Sequence, residues 1–532
     1  MSDPWDAVAF NVQHQLTQPS FDDPKSAHNE YLACLTKVDQ NPVDKSWYLL
    51  FDMIPVEYAL LALRKPPRRW PLLPTILLHV TGSADSVVSN VLKAGTDGPI
   101  EGSWYSLFLV EGGDPKQVLL GELYPPADEF TAGKGDVWTP RYGYWQIADW
   151  NLLWIPAVQG PEVVLVRPSR QNAAGPLQLD GDRTRGKKRS FTDMNGLPLG
   201  GAVTGPPTKR LKLAPALVVL PPPSSGALGV MNVGQGGCNL LFNRAMEPVF
   251  YYDTGYPLGF FRGTLPANMR RDLGTFTGPI YNNAAGGVPI ILSHWDWDHW
   301  RLGAAPAFGG STLAACNWVY PQQPMSPTAQ NFINHQIAGA QAQVPAGTPP
   351  QVLNYGAGTP NAFSYTLYKY VPPGGAFGGI LINNSGLALR VPVDVAAGAA
   401  SQFLLTGDGN FVYLPLAARA GLTGIGAVHH GSIAHGASAN LPAIPGGAAS
   451  GYIAYSYGIN PATGNHAYGF PVAGAVANYQ AAGWTAPTET GTAEGAAFNA
   501  GANPGNVRLG NQAALGGAYA ATAFAAIGHG IA

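Results

Sequence analysis

At 532 residues, with 46% apolar content and a formal net charge of −2, the chain is too long for one ordinary domain and too ordinary in composition for a disordered or fibrous protein. No 18-residue apolar run free of Pro or charge occurs outside the Ala/Gly-rich tail, and the first residues show no basic region followed by an apolar one, so neither a membrane span nor a secretory signal is expected. Cys34, Cys238 and Cys316 are odd in number and far apart, which argues against a disulfide scaffold and for a reducing, cytoplasmic setting.

Residues 1 to 166 hold 11 basic and 20 acidic side chains. Strands are predicted over Thr75 to Val80, Ser103 to Val110 and Val118 to Leu123, and a short helix over Pro55 to Leu63, giving a separate mixed α+β domain. Trp and Tyr crowd the stretch Trp138 to Trp154. Such a cluster can stack bases, but ordinary core is the plainer reading. His14, His28 and His79 stand alone and no nucleophile, metal or phosphate motif accompanies them.

Residues 167 to 225 reverse the charge, with 10 basic and 3 acidic side chains among Gly, Pro, Ser and Thr. Little apolar surface is there to bury, so this segment reads as a flexible linker. Its clusters Lys187-Lys188-Arg189 and Lys209-Arg210-Leu211-Lys212 fit three roles: a bipartite nuclear signal, contact with nucleic-acid phosphates, or a solvated connection.

From residue 213 on, only 9 basic and 9 acidic residues remain, so a second subunit or partner protein is expected to cover part of this half. Ala227 to Val233 and Cys238 to Phe242 read as strands about the turn Gly234-Gln235-Gly236-Gly237, and Val249 to Tyr252 as a strand ending in Asp253-Thr254-Gly255. The apolar run Val288 to Leu292 reads as a buried strand. At its carboxyl end stands Ser293-His294-Trp295-Asp296-Trp297-Asp298-His299-Trp300, two imidazoles and two carboxylates at H-x-D-x-D-H spacing. Those donors can close around one or two divalent cations. A zincin helix places its histidines one turn apart; here alternate residues of a non-helical loop point the same way.

Thr328 to Gln343 has helical length, and His335 on it reads as a surface or core residue. Asn383-Asn384-Ser385 precedes a strand over Leu387 to Val393. A further strand, Ser401 to Leu405, runs into Thr406-Gly407-Asp408. A short helix over Val412 to Ala420 then leads to Val428-His429-His430-Gly431-Ser432, and a strand and a closing helix follow over Gly451 to Tyr457 and Val472 to Ala482. His435, His466 and Phe470 lie among these last elements.

Taken together, these stretches resemble the metallo-β-lactamase superfamily, and within it the soluble ComEC-type metallohydrolase domains of DNA uptake. The metal loop is similar to the superfamily's H-x-H-x-D-H with Asp296 in place of the second histidine. Val233-Gly234-Gln235-Gly236 followed by Asp253-Thr254-Gly255 resembles the ComEC-type opening, with Asn232 in place of its first Asp. Asn383-Asn384-Ser385 stands where lactamases carry a third-motif histidine; Leu404-Leu405-Thr406-Gly407-Asp408 and His429-His430-Gly431-Ser432 resemble two later motifs. Phe470 takes the place of a final histidine, leaving His466 or His435 to serve, or no such group.

The resemblance covers residues 226 to 490 and implies an αββα sandwich. It implies two divalent metal ions, Zn²⁺ or Mn²⁺: His294, Asp296 and Asp408 around the first, Asp298, His299, His430 and Asp408 around the second. Asp253 would support the metal loop, Asn383, Asn384 and Ser385 would be auxiliary, and Asp298 and His429 would act in catalysis, with the order of the two adjacent histidines open. The expected activity is phosphodiester hydrolysis of DNA, RNA or cyclic oligonucleotides. Hydrolysis of a small ester, such as a lactone or phosphorylcholine ester, and a non-catalytic metal scaffold are the alternatives. The tail from about 491, rich in Ala and Gly, carries no legible motif.

Overall fold

The computed structural model describes residues 30–40, 47–56, 75–82, 101–111, 119–123, 141–154, 226–231, 233–242, 248–256, 288–304, 310–323, 325–355, 363–371, 381–396, 399–432, 441–445, 451–457, 470–489, 507–510 and 522–523. They fall into two compact units.

The first unit is a closed barrel of six strands in the order β1-β2-β3-β5-β6-β4. These are β1 (Glu30–Gln40), β2 (Trp47–Pro55), β3 (Ile76–Gly82), β4 (Trp104–Glu111), β5 (Leu119–Leu123) and β6 (Arg141–Trp154). Every pairing in it is antiparallel. Alternate residues, among them Tyr31, Ala33, Leu35, Leu49, Phe51, Met53, Tyr105 and Leu107, fill the interior, as the two-residue period of a strand requires. No named helix lies among the described residues here, and most of the predicted helix Pro55 to Leu63 is outside them, so the described part of the expected α+β domain is the barrel. The Trp- and Tyr-rich stretch is largely a strand, β6. The basic linker, 167 to 225, lies outside the described residues.

The second unit holds two mixed sheets. One runs β12-β11-β10-β9-β8-β7-β20-β21 and the other β13-β14-β15-β16-β17-β18-β19. The first comprises β7 (Ala227–Val230), β8 (Cys238–Phe242), β9 (Pro248–Thr254), β10 (Ile290–Ile291), β11 (Trp318–Pro321), β12 (Gln341–Val344), β20 (Val507–Gly510) and β21 (Thr522–Ala523). The second comprises β13 (Gln351–Tyr355), β14 (Phe363–Lys369), β15 (Leu387–Ala396), β16 (Ala399–Leu405), β17 (Gly424–Gly426), β18 (Tyr452–Tyr455) and β19 (Ala486–Glu489).

The sheets meet face to face. The Tyr252 hydroxyl crosses from β9 to donate to the Leu387 carbonyl of β15 at 2.8 Å, and the rings of Phe250 and Tyr365 lie 4.4 Å apart. On the outer face of the first sheet Trp318 packs edge-on against Phe332, which stacks on Trp300. On the outer face of the second, Leu404, Ile425 and Ile453 share a core with Ala475, Val476 and Tyr479 of the helix Ala473–Ala481. Helices thus cover both sheets, as an αββα arrangement needs to bury each apolar face.

Several local readings shift. The helix predicted over Thr328 to Gln343 is two short pieces, Pro327–Asn331 and the wider π-turn Phe332–Gln336. Residues 341–344 then pair with β11 as strand β12. Ser326 caps the first piece by accepting from the Ala329 N–H, and Pro327 suits its first turn. Val412 to Ala420 is likewise a 3₁₀ turn, Phe411–Tyr413, and a single helical turn, Leu416–Arg419. The tail is not featureless, since β20 pairs antiparallel with β7.

Candidate metal centre

In both sheets the parallel strands release their loops at one end, and the expected site residues stand there. Asp253 closes β9, Ser293 to Asp298 follow β10, Asp408 follows β16, His429 and His430 follow β17, and Ser456 follows β18. Carboxyl ends of parallel strands leave backbone groups without partners, and loops there can carry chemistry.

The metal loop is not wholly irregular. His294 and Asp296 lie on extended chain, but Trp297–Trp300 forms one helical turn carrying Asp298 and His299. The expectation of alternating residues on a non-helical loop therefore holds only for its first half. Trp295 and Trp297 each pack edge-on against Trp300, and the three buried rings anchor the loop in the core. Fully burying an aromatic side chain contributes about 1.5–3 kcal/mol.

Asp253 organises this loop without facing its centre. It adopts a left-handed backbone conformation, φ 65°. One carboxylate oxygen accepts from the Ser293 N–H at 2.6 Å; the other accepts from the Ser293 hydroxyl and from His299 Nδ1, each at 2.8 Å. A carboxylate can only accept, so the His299 proton is on Nδ1 and its Nε2 lone pair faces inward. The same logic orients His430, whose Nδ1 donates to the Ser456 carbonyl at 2.6 Å. With the Ser293 hydroxyl committed to Asp253, its oxygen accepts from His294 Nδ1 at 2.9 Å. Three imidazoles therefore present Nε2 to one buried space.

Carboxylates meet them there. His294 Nε2 is 3.3 Å from Asp296 Oδ2 and 3.8 Å from Asp408 Oδ2. His299 Nε2 is 3.2 Å from Asp408 Oδ1, and His430 Nε2 is 3.8 Å from Asp298 Oδ2. Two sets have ligand atoms within 4.8 Å of one another: His294, His299 and Asp408, and Asp298, His299 and His430. His299 joins both, although the sequence placed it in the second alone. Asp408 belongs to the first set, its two oxygens approaching His294 and His299 separately. Burial pushes the pKa of His299 down, but the charges of Asp408 and Asp253, with hydrogen bonds to both, outweigh it and the net direction is up.

His429 stands beside these sets and belongs to neither. Its Nδ1 is 3.2 Å from Asp408 Oδ2 and 3.4 Å from Asn383 Nδ2. His429 and His430 have left-handed φ of 45° and 55°, and Gly431 follows at 94°. For residues other than glycine such a conformation costs about 1–3 kcal/mol each. It sends the two adjacent imidazoles to different neighbours, Asp408 and Asp298. The Phe470 ring lies 5.9 Å from that of His429 and 6.5 Å from that of His430. Asn384 Oδ1 accepts from the Asn410 N–H at 2.9 Å, fixing the loop after Asp408. His435 and His466 lie outside the described residues; His335 is exposed and absent from both sets.

Two glycines have a steric reason to be present. A Cβ on Gly237 would fall 2.6 Å from His299 Nδ1, and one on Gly255 only 1.6 Å from the Asp298 carbonyl oxygen. Backbone bonds from Gly237 N–H to Asp298 O at 3.0 Å and from Gly255 N–H to Gly237 O fasten these segments under the metal loop. The turn Gly234 to Gly237 is therefore the floor of the site as well as a hairpin.

The donor set fits divalent cations. Asp253, Asp296, Asp298 and Asp408 are each at most 1% exposed, and a protonated His299 alone does not offset that much buried negative charge. His294, His299 and His430 keep buried Nε2 atoms with no hydrogen bond. Nitrogen and carboxylate donors together suit a divalent metal ion.

No protein-family model matches the chain, and no curated protein does. Among solved structures it is similar to the metallo-beta-lactamase fold protein YhfI from Bacillus subtilis, at 13% identity over 51% of this chain and 98% of that one, with a TM-score of 0.28. It is also similar to Tm1679, a metal-dependent hydrolase of the beta-lactamase superfamily, at 9% identity over 50% and 95%, with a TM-score of 0.26. At such identities and TM-scores the likeness settles nothing about this chain's chemistry.

Sequence reasoning missed Ser293, Ser456, Gln323 and Lys369. Lys369 is buried, which pushes its ammonium pKa from 10.5 down to about 7, and it donates to the Ser385 and Gln322 carbonyls. None of the four has a neighbour-spacing signature.

Proposed function

We propose that the chain is a metal-dependent hydrolase of the metallo-β-lactamase fold that cleaves phosphodiesters, with nucleic acid or a cyclic oligonucleotide as substrate. The observation that carries the reading is His299, which belongs to both buried donor sets, with His294 and Asp408 on one side and Asp298 and His430 on the other. A pair of divalent ions held by those sets supplies a water ionised near neutral pH and charge for both oxygens of an in-line displacement. His294, Asp296 and Asp408 would hold one ion and Asp298, His299, His430 and Asp408 the other, with His299 within reach of both positions. His429, oriented by Asp408, faces the substrate as proton donor or transition-state support. The Asn383 amide stands where a lactamase has a ligand histidine, and Asp296 where it has another, so this reading has fewer imidazoles and more oxygen donors than a lactamase site. The basic clusters of residues 187 to 212 add phosphate affinity to this reading.

The Phe470 ring beside His429 and His430 favours a second reading, hydrolysis of a small apolar ester. Single-stranded DNA, duplex DNA, RNA, a cyclic dinucleotide, a chromogenic phosphodiester and a lactone, each with and without Mn²⁺, separate the two. Turnover of the lactone with none of the phosphodiesters at any metal would replace the first reading by the second.

A further inference from the structure

We propose that Gln323 is a positioning residue that locks the metal-holding loop to the Asn383 turn of the opposite sheet and so shapes the first cation position. The inference rests on the reading of the site as a cation centre. Gln323 lies just after β11 and is 8% exposed. Its Oε1 accepts from the Trp295 N–H at 3.1 Å, and Trp295 stands between His294 and Asp296, the two loop ligands of that position. Its Nε2 donates to Ser385 Oγ at 2.9 Å and to the Ile382 carbonyl, on either side of Asn383.

A backbone hydrogen bond already joins the two segments, from the Leu387 N–H to the Ser293 carbonyl at 2.7 Å. One hydrogen bond leaves a hinge, and a second anchor removes the rotation. Gln323 supplies it on the side nearer Asp296. A primary amide suits this task because it accepts through one atom and donates twice through the other; Glu at the same reach cannot donate. Bonds made in such a buried place are electrostatically stronger than in water and correspondingly costly to lose.

Mn²⁺ titrated calorimetrically into the metal-stripped full chain tests this. The unaltered protein should show two binding events. Gln323→Met and Ser385→Ala should each leave one event in place and weaken the other about 10–100-fold, the range that loss of an outer-shell partner produces. Gln323→Glu, which keeps the acceptor for Trp295, should retain more of that affinity than Gln323→Met. A lower melting temperature with both affinities unchanged in Gln323→Met and Ser385→Ala would make the strap merely structural and overturn the proposal. Should Gln323→Met fail to melt cooperatively, Ser385→Ala and Gln323→Glu decide by the same criterion. No Mn²⁺ binding to the unaltered protein would remove the cation reading itself, and this inference with it.

Discussion

Asp298 and His430 face each other across the centre, His430 held from behind by the Ser456 carbonyl, and their loss removes polar donors without opening an apolar cavity. Asp298→Ala and His430→Ala should therefore stay folded by circular dichroism, lose bound metal and lose turnover; near-normal rates in both would remove the assignment. Asp253→Asn keeps an acceptor for Ser293 but weakens the hold on His299, and about a 10–100-fold loss of metal affinity is expected. If Asp296 is a ligand, it adds a carboxylate to the donor set, and carboxylates favour harder cations than imidazoles do. Stripped protein should recover activity best with Mn²⁺ at matched free-metal concentrations, and Asp296→His should shift that optimum toward Zn²⁺. Zn²⁺ as the best ion for the unaltered protein, with none from Mn²⁺, would defeat the ligand argument.

Strand β14 carries Lys369 into the interior, and the pH dependence of stability should show it. Above pH 10.5 the amine is neutral both folded and unfolded; between there and about 7 the unfolded chain binds a proton that the folded chain does not. Stability contributed by this group therefore rises with pH across that window, by at most about 1.4 kcal/mol per pH unit, and is level below it. Lys369→Met should flatten that slope in denaturant titrations from pH 7 to 10, and an identical slope would exclude the effect. The metal loop and the Asp253, Asp408 and His429-His430 stretches were legible because few sequences place such donors at strand ends. Strands β1 and β2 were not: their apolar residues, mixed with Lys37, Asp39 and Asp52, show no clean alternation, and Asp52 is buried rather than outward. The Gln323 strap was invisible for another reason, because a lone glutamine gains its role only when two distant segments meet it.

At the scale of the molecule, the second unit draws one sheet from both ends of its sequence. Deleting the chain after residue 490 removes β20 and leaves β7 with one neighbour instead of two. The truncated protein should aggregate or melt earlier, and an unchanged melting temperature would show that β20 contributes little. No helix among the described residues is long and apolar enough to cross a membrane. The pairing of Val230 with Val507 also constrains synthesis. A chain leaving the ribosome presents β7 and the whole donor cluster up to His430 long before β20 exists, so the edge waits exposed while later residues are made. Open strand edges recruit other strands. A holding chaperone, or slow addition of the last strands after release, would then govern the yield of native protein more than the stability of the finished sheet does.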